Sequence, residues 1–135
     1  MEIGGAKLMV TSLIATDVGI MDRLQAKYAS HGESFLVVPV WPAAYPMFER
    51  KSPIWDLYLL FPRDMATQEK EIAEMKEAKV AFIMVVDEPP DGNGALLFRN
   101  TNPHVMSYIR SHYMETHEVP EDPKVHVFIP REALP

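Results

Sequence analysis

The sequence predicts an α/β domain: a three-layer sandwich with a mostly parallel central sheet and a C-terminal antiparallel edge hairpin. Two apolar runs carry this reading, FLVVPV at Phe35–Val40 and VAFIMVV at Val80–Val86. Both are too short for globular helices and rich in β-branched residues, the pattern of strands buried on both faces. A helical pattern at Asp64–Lys79 lies between them, and strand–helix alternation of this kind implies a crossover and parallel pairing. The 135 residues make one domain, 1–135, long enough to bury roughly 70% of the extended chain's surface.

Taken in order, Lys7–Ala15 reads equally as a strand or as the first turns of a long helix. Asp17 then suits an N-cap, Ile20, Met21, Leu24 and Tyr28 share one helical stripe, and Gly32 is placed to end the helix. Charged His31 would face that helix's C-terminus favourably, an ordinary role that outweighs a catalytic one. After Phe35–Val40, the segment Trp41–Phe48 predicts a short helical turn, with Pro42 tolerated at its first position. Pro53 restarts an extended segment, Ile54–Phe61, in which Trp55, Leu57 and Leu59 alternate with Asp56, Tyr58 and Leu60 as in a half-buried strand.

In Asp64–Lys79, Thr67 can cap, Glu69 and Glu71 suit the positive N-terminal end, and Ile72, Met75 and Ala78 form the inward stripe. Val80–Val86 is expected at the sheet centre. It ends at Asp87-Glu88, and Pro89 to Gly94 is a strong turn signal. Ala95–Phe98 would return as a short strand. Asn102-Pro103 reads as N-cap plus first-turn proline of a helix reaching about Tyr113. Met114–Val119 and Val125–Ile129 complete the edge hairpin.

Composition excludes several chemistries. With no cysteine there is no thiol catalysis, disulfide or cysteine-ligated metal centre. A net charge of −6 without a basic block argues against nucleic acid as a partner. No apolar run approaches the roughly 20 residues of a membrane span, and the N-terminus lacks the basic region and cleavage site of a signal peptide. Read from Met1 the chain is cytoplasmic; Met1-Glu2 before Gly4-Gly5 also fits a domain excised from a longer membrane protein.

The candidate site residues are Trp41, Tyr45, Arg50 and Trp55, with Asp87 and Glu88. The first four are the aromatic faces and guanidinium that a sugar or lipid headgroup would need, and they also suit plain packing of a proline-rich crossover. Asp87 and Glu88 stand where a central strand ends, the favoured place for acid–base or ribose-binding carboxylates, although turn formation explains them as well. Among His31, His104, His112, His117 and His126 there is no HxxxH or HExxH pair; His117 and His126 could meet across the final hairpin, but no metal is expected. GxGxxG, GxxxxGK[ST] and GxSxG are all absent, so neither a cofactor nor a catalytic residue is assigned.

The ordered features resemble a known family. Glu33 to Tyr45, ESFLVVPVWPAAY, resembles a "gepvfvlPyaPmlY" segment; Phe48 to Pro53 resembles "l.gR.nPt"; Glu71 to Asp87 resembles "eiiaeLekkkvkyVvvD". Phe98, Pro103 and Tyr108 to Tyr113 follow "F…P.l..yI..nY", and Val125–Ile129 a closing "vyvyr". The series is similar to the C-terminal soluble domains of GT-C-type bacterial membrane glycosyltransferases, dolichyl-phosphate-mannose–protein mannosyltransferase-like and aminoarabinose-transferase-like, and spans about Asp17 to Arg131. Two departures stand out: Lys-Ser-Pro follows Arg50 where the family has Asn-Pro-Thr, and Pro89–Gly94 is richer in turn residues.

The resemblance implies an extracytoplasmic accessory domain on the periplasmic face of the inner membrane, non-catalytic in isolation. Its partners would be the transmembrane portion of its own parent chain and a glycan or lipid-linked sugar. The alternative from the residues alone is a free-standing cytoplasmic α/β protein. It would bind a nucleotide or other small ligand at the C-terminal ends of its central strands.

Overall fold

The computed structural model describes residues 2–3, 6–7, 12–56, 59–89, 92–120 and 122–133. Short strands β1 (Glu2–Ile3) and β2 (Ala6–Lys7) pair antiparallel, and helix α1 follows at Ser12–Tyr28. The main sheet contains β3 (Phe35–Val38), β4 (Phe82–Val86), β5 (Tyr113–Thr116) and β6 (Val125–Pro130), in the order β3-β4-β6-β5. The further helices are α2 (Ala44–Met47), α3 (Met65–Ala78), α4 (Phe98–Thr101) and α5 (Pro103–His112).

The sheet is mixed, which corrects the expectation of a mostly parallel three-layer sandwich. β3 and β4 pair in parallel from Phe35↔Phe82 to Val38↔Val85, the crossover containing α3. β6 then runs antiparallel to β4, with Ile83 opposite Phe128, and β5 antiparallel to β6, with Tyr113 opposite Pro130. The hairpin is therefore more than an edge addition, because its second strand lies against the central strand and supplies half of that strand's hydrogen bonds.

Alternation along these strands divides the core in two. Phe35, Val37, Phe82, Met84, Val127 and Ile129 pack on one face with Val18, Met21 and Leu24 of α1 and Tyr45 of α2. Leu36, Val38, Ile83, Val85 and Phe128 pack on the other with Ile72 and Met75 of α3, Phe98 of α4, and Val105 and Ile109 of α5. The apolar runs at β3 and β4 thus have the double burial their composition predicts.

Several local expectations are corrected. Asp17 lies inside α1 and does not cap it. Gly32 does reverse the chain after the helix, at φ +85°, a conformation that glycine adopts without a Cβ clash. The cap of α3 is Asp64, whose Oδ1 accepts from the Thr67 amide at 2.8 Å, so Thr67 is the receiver and not the cap. The helix stops where Lys79 turns left-handed, at φ +53°.

Residues 54–56 and 59–61 form no strand, and Leu57 and Tyr58 lie outside the described residues. The Ser52 hydroxyl closes a turn on the Ile54 carbonyl at 2.7 Å, and Arg63 pairs with Asp56 at 2.7 Å, folding the segment into a loop. Trp55 is 83% exposed. The segment still seals the sheet, because the Leu59 amide donates to the Pro39 carbonyl at 3.0 Å beside the edge of β3.

At 95–98, the Asn93 side chain accepts from the Ala95 amide and starts a 3-10 turn, Gly94–Leu96, where a strand was expected. Asn102 precedes α5 as predicted, with Pro103 in the first turn, but its side chain reaches Thr101. The first amides of α5 are capped from another helix. Buried Gln68 of α3 accepts from His104 N at 2.8 Å and Val105 N at 3.3 Å while donating to the Arg63 carbonyl.

Glu71, next on the same buried stripe, has no such partners: neither carboxylate oxygen accepts a hydrogen bond. Burial pushes its carboxyl up from 4.5 to about 7, helped by the Asp56 charge and opposed by Arg63. The folded chain therefore holds this proton more tightly than the unfolded one. The resulting stability is full below pH 4.5 and is lost as pH rises through about 7. Unfolding free energy should fall by up to about 3 kcal/mol between pH 5 and pH 8. Glu71→Gln should flatten most of that slope in urea titrations; identical slopes for the two proteins would refute the assignment.

Candidate functional site

The parallel strands β3 and β4 end side by side, and a cleft of about 680 Å³ opens beyond their carboxyl ends. Crevices of open α/β sheets tend to form at this place, and the volume is that of a small-molecule site. Its walls are apolar: Ile20 from α1, Val37 from β3 with Pro39, Val40 and Trp41 just past it, Met84 and Val86 from β4, and Val125 from β6. Its polar groups are acidic. Asp17 comes from the second turn of α1, Glu88 from just past β4, and Asp122 from the turn before β6.

These carboxylates feel one another. Partial burial raises the Asp17 carboxyl above its ordinary value, and the charges of Asp122 and then Glu88 raise it further. Lys124 offsets one of the three by pairing with Glu88 at 3.1 Å, a solvent-exposed contact of small energetic weight. Among the described residues no lysine, arginine or histidine lines the cleft.

The predicted site residues are dispersed. Trp41 and Glu88 line this cleft. Asp87 precedes Glu88 by one residue and so faces the other side of the sheet, where its two oxygens accept from Arg99 Nη1 at 2.6 and 2.8 Å. Trp55 stands in a separate groove with Lys51, Glu74 and Glu77. Tyr45 is buried under the cleft wall, its ring stacked on Phe35 and its hydroxyl accepting from the Val37 amide at 3.1 Å.

Arg50 serves as a clamp. Its Nε donates to the Glu33 carbonyl at 3.1 Å, Nη1 to the Phe48 carbonyl at 2.8 Å, and Nη2 to the Ala29 carbonyl at 2.9 Å and Gln25 Oε1 at 3.3 Å. One planar fork thus ties the end of α1, the approach to β3 and the end of α2.

Asp17 and Asp122 were not legible as site residues. Each has an adequate local explanation, helix and turn, and only the pairing of β6 with β4 brings Asp122 across from α1. His126, which from sequence could meet His117 across the final hairpin, pairs with Glu115 across β5 and β6. Among the described residues no three His, Asp or Glu side chains form a metal-holding group, and no helix is long and apolar enough to cross a membrane. No family model, curated protein or solved structure matches the chain.

Arg50→Met removes the four hydrogen bonds of the clamp and should cost about 2–3 kcal/mol in urea unfolding. Arg50→Lys should recover only part, because an ammonium cannot reproduce the fork. A loss below about 0.5 kcal/mol, the range of ordinary surface substitutions, would remove the structural role.

Proposed function

We propose that this chain is a small-molecule-binding domain whose cleft, at the carboxyl ends of β3 and β4, takes an organic cation with an apolar body. The observation that carries this reading is the composition of the cleft: apolar walls, with Asp17, Glu88 and Asp122 converging and, among the described residues, Lys124 alone paired with one of them. A cation relieves the mutual repulsion of the carboxylates, and Trp41 offers an aromatic face for a substituted ammonium. A nucleotide, one option from sequence, would bring its phosphates toward like charge, and the described residues offer neither a glycine-rich cradle nor a lining cation to receive them.

Titration with benzyltrimethylammonium, followed by amide NMR shifts, tests this reading. Saturable shifts are expected at Ile20, Val37, Val86 and Val125. Asp122→Asn and Glu88→Gln should each weaken binding by about threefold to tenfold, the range of partly exposed ion pairs. Equal binding of adenosine monophosphate, or no saturable shift with any cation, would overturn it.

A second reading rests on the ordered motifs: an accessory domain of a membrane-embedded glycosyltransferase that uses a lipid-linked sugar. What supports it is the motif series alone. Those motifs coincide with the scaffold, since Phe35–Val38, Tyr45, Ile72, Ile109 and Tyr113 are all buried. They speak for a shared framework more than for a shared activity. On this reading the isolated chain gives no turnover of a polyprenyl-phosphate sugar, and turnover by these 135 residues would exclude it.

A further inference from the structure

The face of the sheet opposite the acidic cleft carries a second depression, of about 400 Å³. Its floor is apolar, formed by Val85, Met106 and Phe128, and three arginines from three separate elements line it: Arg99 of α4, Arg110 of α5 and Arg131 just past β6. We propose that this depression binds the oxyanion of a small phosphate- or carboxylate-bearing ligand through Arg99, Arg110 and Arg131.

Charge balance supports this. Two carboxylates line the depression, and each already has a partner: Asp87 is held by Arg99, and Glu115 meets His126. Among the described residues, Arg110 and Arg131 have no lining carboxylate left to neutralise them. Arg131 is fixed by neutral acceptors, its Nε on the Ser111 carbonyl at 3.1 Å and its Nη2 on the Arg110 carbonyl at 2.9 Å, both at the end of α5. The side chain of Arg110 makes no hydrogen bond or ion pair with any described residue.

Geometry supports it as well. Asp87 holds Arg99 by Nη1, and among the described residues Nε and Nη2 have no acceptor. Arg131 is held by Nε and Nη2, which leaves Nη1. Two guanidinium groups anchored by part of their donors, beside a third with all of its donors available, match the several acceptor lone pairs of an oxyanion. The anchoring also reduces the side-chain entropy lost on binding. The apolar floor would receive the body of the ligand, as in most small-molecule sites.

Phenyl phosphate, benzoate and phenol, titrated at constant ionic strength with amide NMR shifts as the readout, test the proposal. Phenyl phosphate or benzoate should bind saturably with shifts at Val85, Met114 and Phe128, and phenol should not. The stronger of the two acids identifies a phosphate or a carboxylate as the favoured oxyanion, and either order supports the site. Arg110→Gln, which breaks no hydrogen bond or ion pair with a described residue and should leave the fold intact, is expected to weaken binding about tenfold or more. Asp87→Asn releases Arg99 and should tighten binding, an effect opposite in sign to that of general damage. The proposal fails if neither acid binds saturably, if Arg110→Gln leaves the affinity unchanged, or if the shifts fall on the acidic cleft instead.

Discussion

Phe35 lies between Tyr45 and Phe82, its ring centroid 5.3 Å from each and within 16° of both ring planes. This stack fastens α2, β3 and β4 together, and Tyr45 adds a second tie by accepting from the Val37 amide. A strand fixed this way on one face still has Leu36 and Val38 fully buried on the other, so helices are required on both sides of the sheet. The parallel partner at Phe82 requires a long crossover, and α3 is its regular part. The outer edge of β3 must also be closed, which the Tyr45 hydroxyl and the Leu59 amide accomplish. Most of the architecture follows from burying this one strand completely.

What could be read from sequence divides along the same line. Where residues repeat with the period of the element that buries them, as in β3, β4, α3 and α5, the elements are where the pattern puts them, because burial and local propensity agree. Trp55, Leu57 and Leu59 alternate just as convincingly, yet the described residues 54–56 and 59–61 form no strand, with Ser52 bonded to the Ile54 carbonyl and Arg63 to Asp56. Period-two alternation records which residues are apolar, not whether a neighbouring strand is free to pair with them. The insertion of β6 between β4 and β5 was illegible for a related reason. Sequence order gives the hairpin, while the choice of β6 over β5 as the neighbour of β4 depends on burial, with Val127, Phe128 and Ile129 buried in β6 and only Tyr113 buried in β5.

Caps show the same limit at smaller scale. Asp64 and Thr67 both suit the start of α3, and the backbone decides: Asp64 is extended, with ψ 168°, so its carboxylate can turn onto the Thr67 amide. The start of α5 is capped by Gln68 from a different helix, which no local motif could announce. Buried Gln68 and Glu71 occupy one stripe of α3, and their environments differ. Both ends of the glutamine side-chain amide are satisfied by backbone groups, whereas the Glu71 carboxylate oxygens accept no hydrogen bond and the charge of Arg63 favours ionisation against burial. Burial without hydrogen-bond donors therefore shifts Glu71 toward its protonated form.

The two surface depressions follow from the pleat of a single strand. Val85 and Asp87 face the side of α3–α5, and Met84, Val86 and Glu88 face the side of α1. The adjacent acids Asp87 and Glu88, which look in sequence like one feature, are thus parted by the thickness of the sheet, and each meets its own surroundings. Asp87 joins an arginine set, in which it neutralises and positions Arg99. Glu88 joins Asp17 and Asp122, where it adds repulsion. Opposite potentials on the two faces of one sheet favour opposite ligand charges, and the packed apolar layer between them keeps the two fields from cancelling. The chemistry available to this domain was therefore legible only once the faces were assigned, since the charges that define each site come from segments as distant as Asp17 and Asp122, or Asp87 and Arg131.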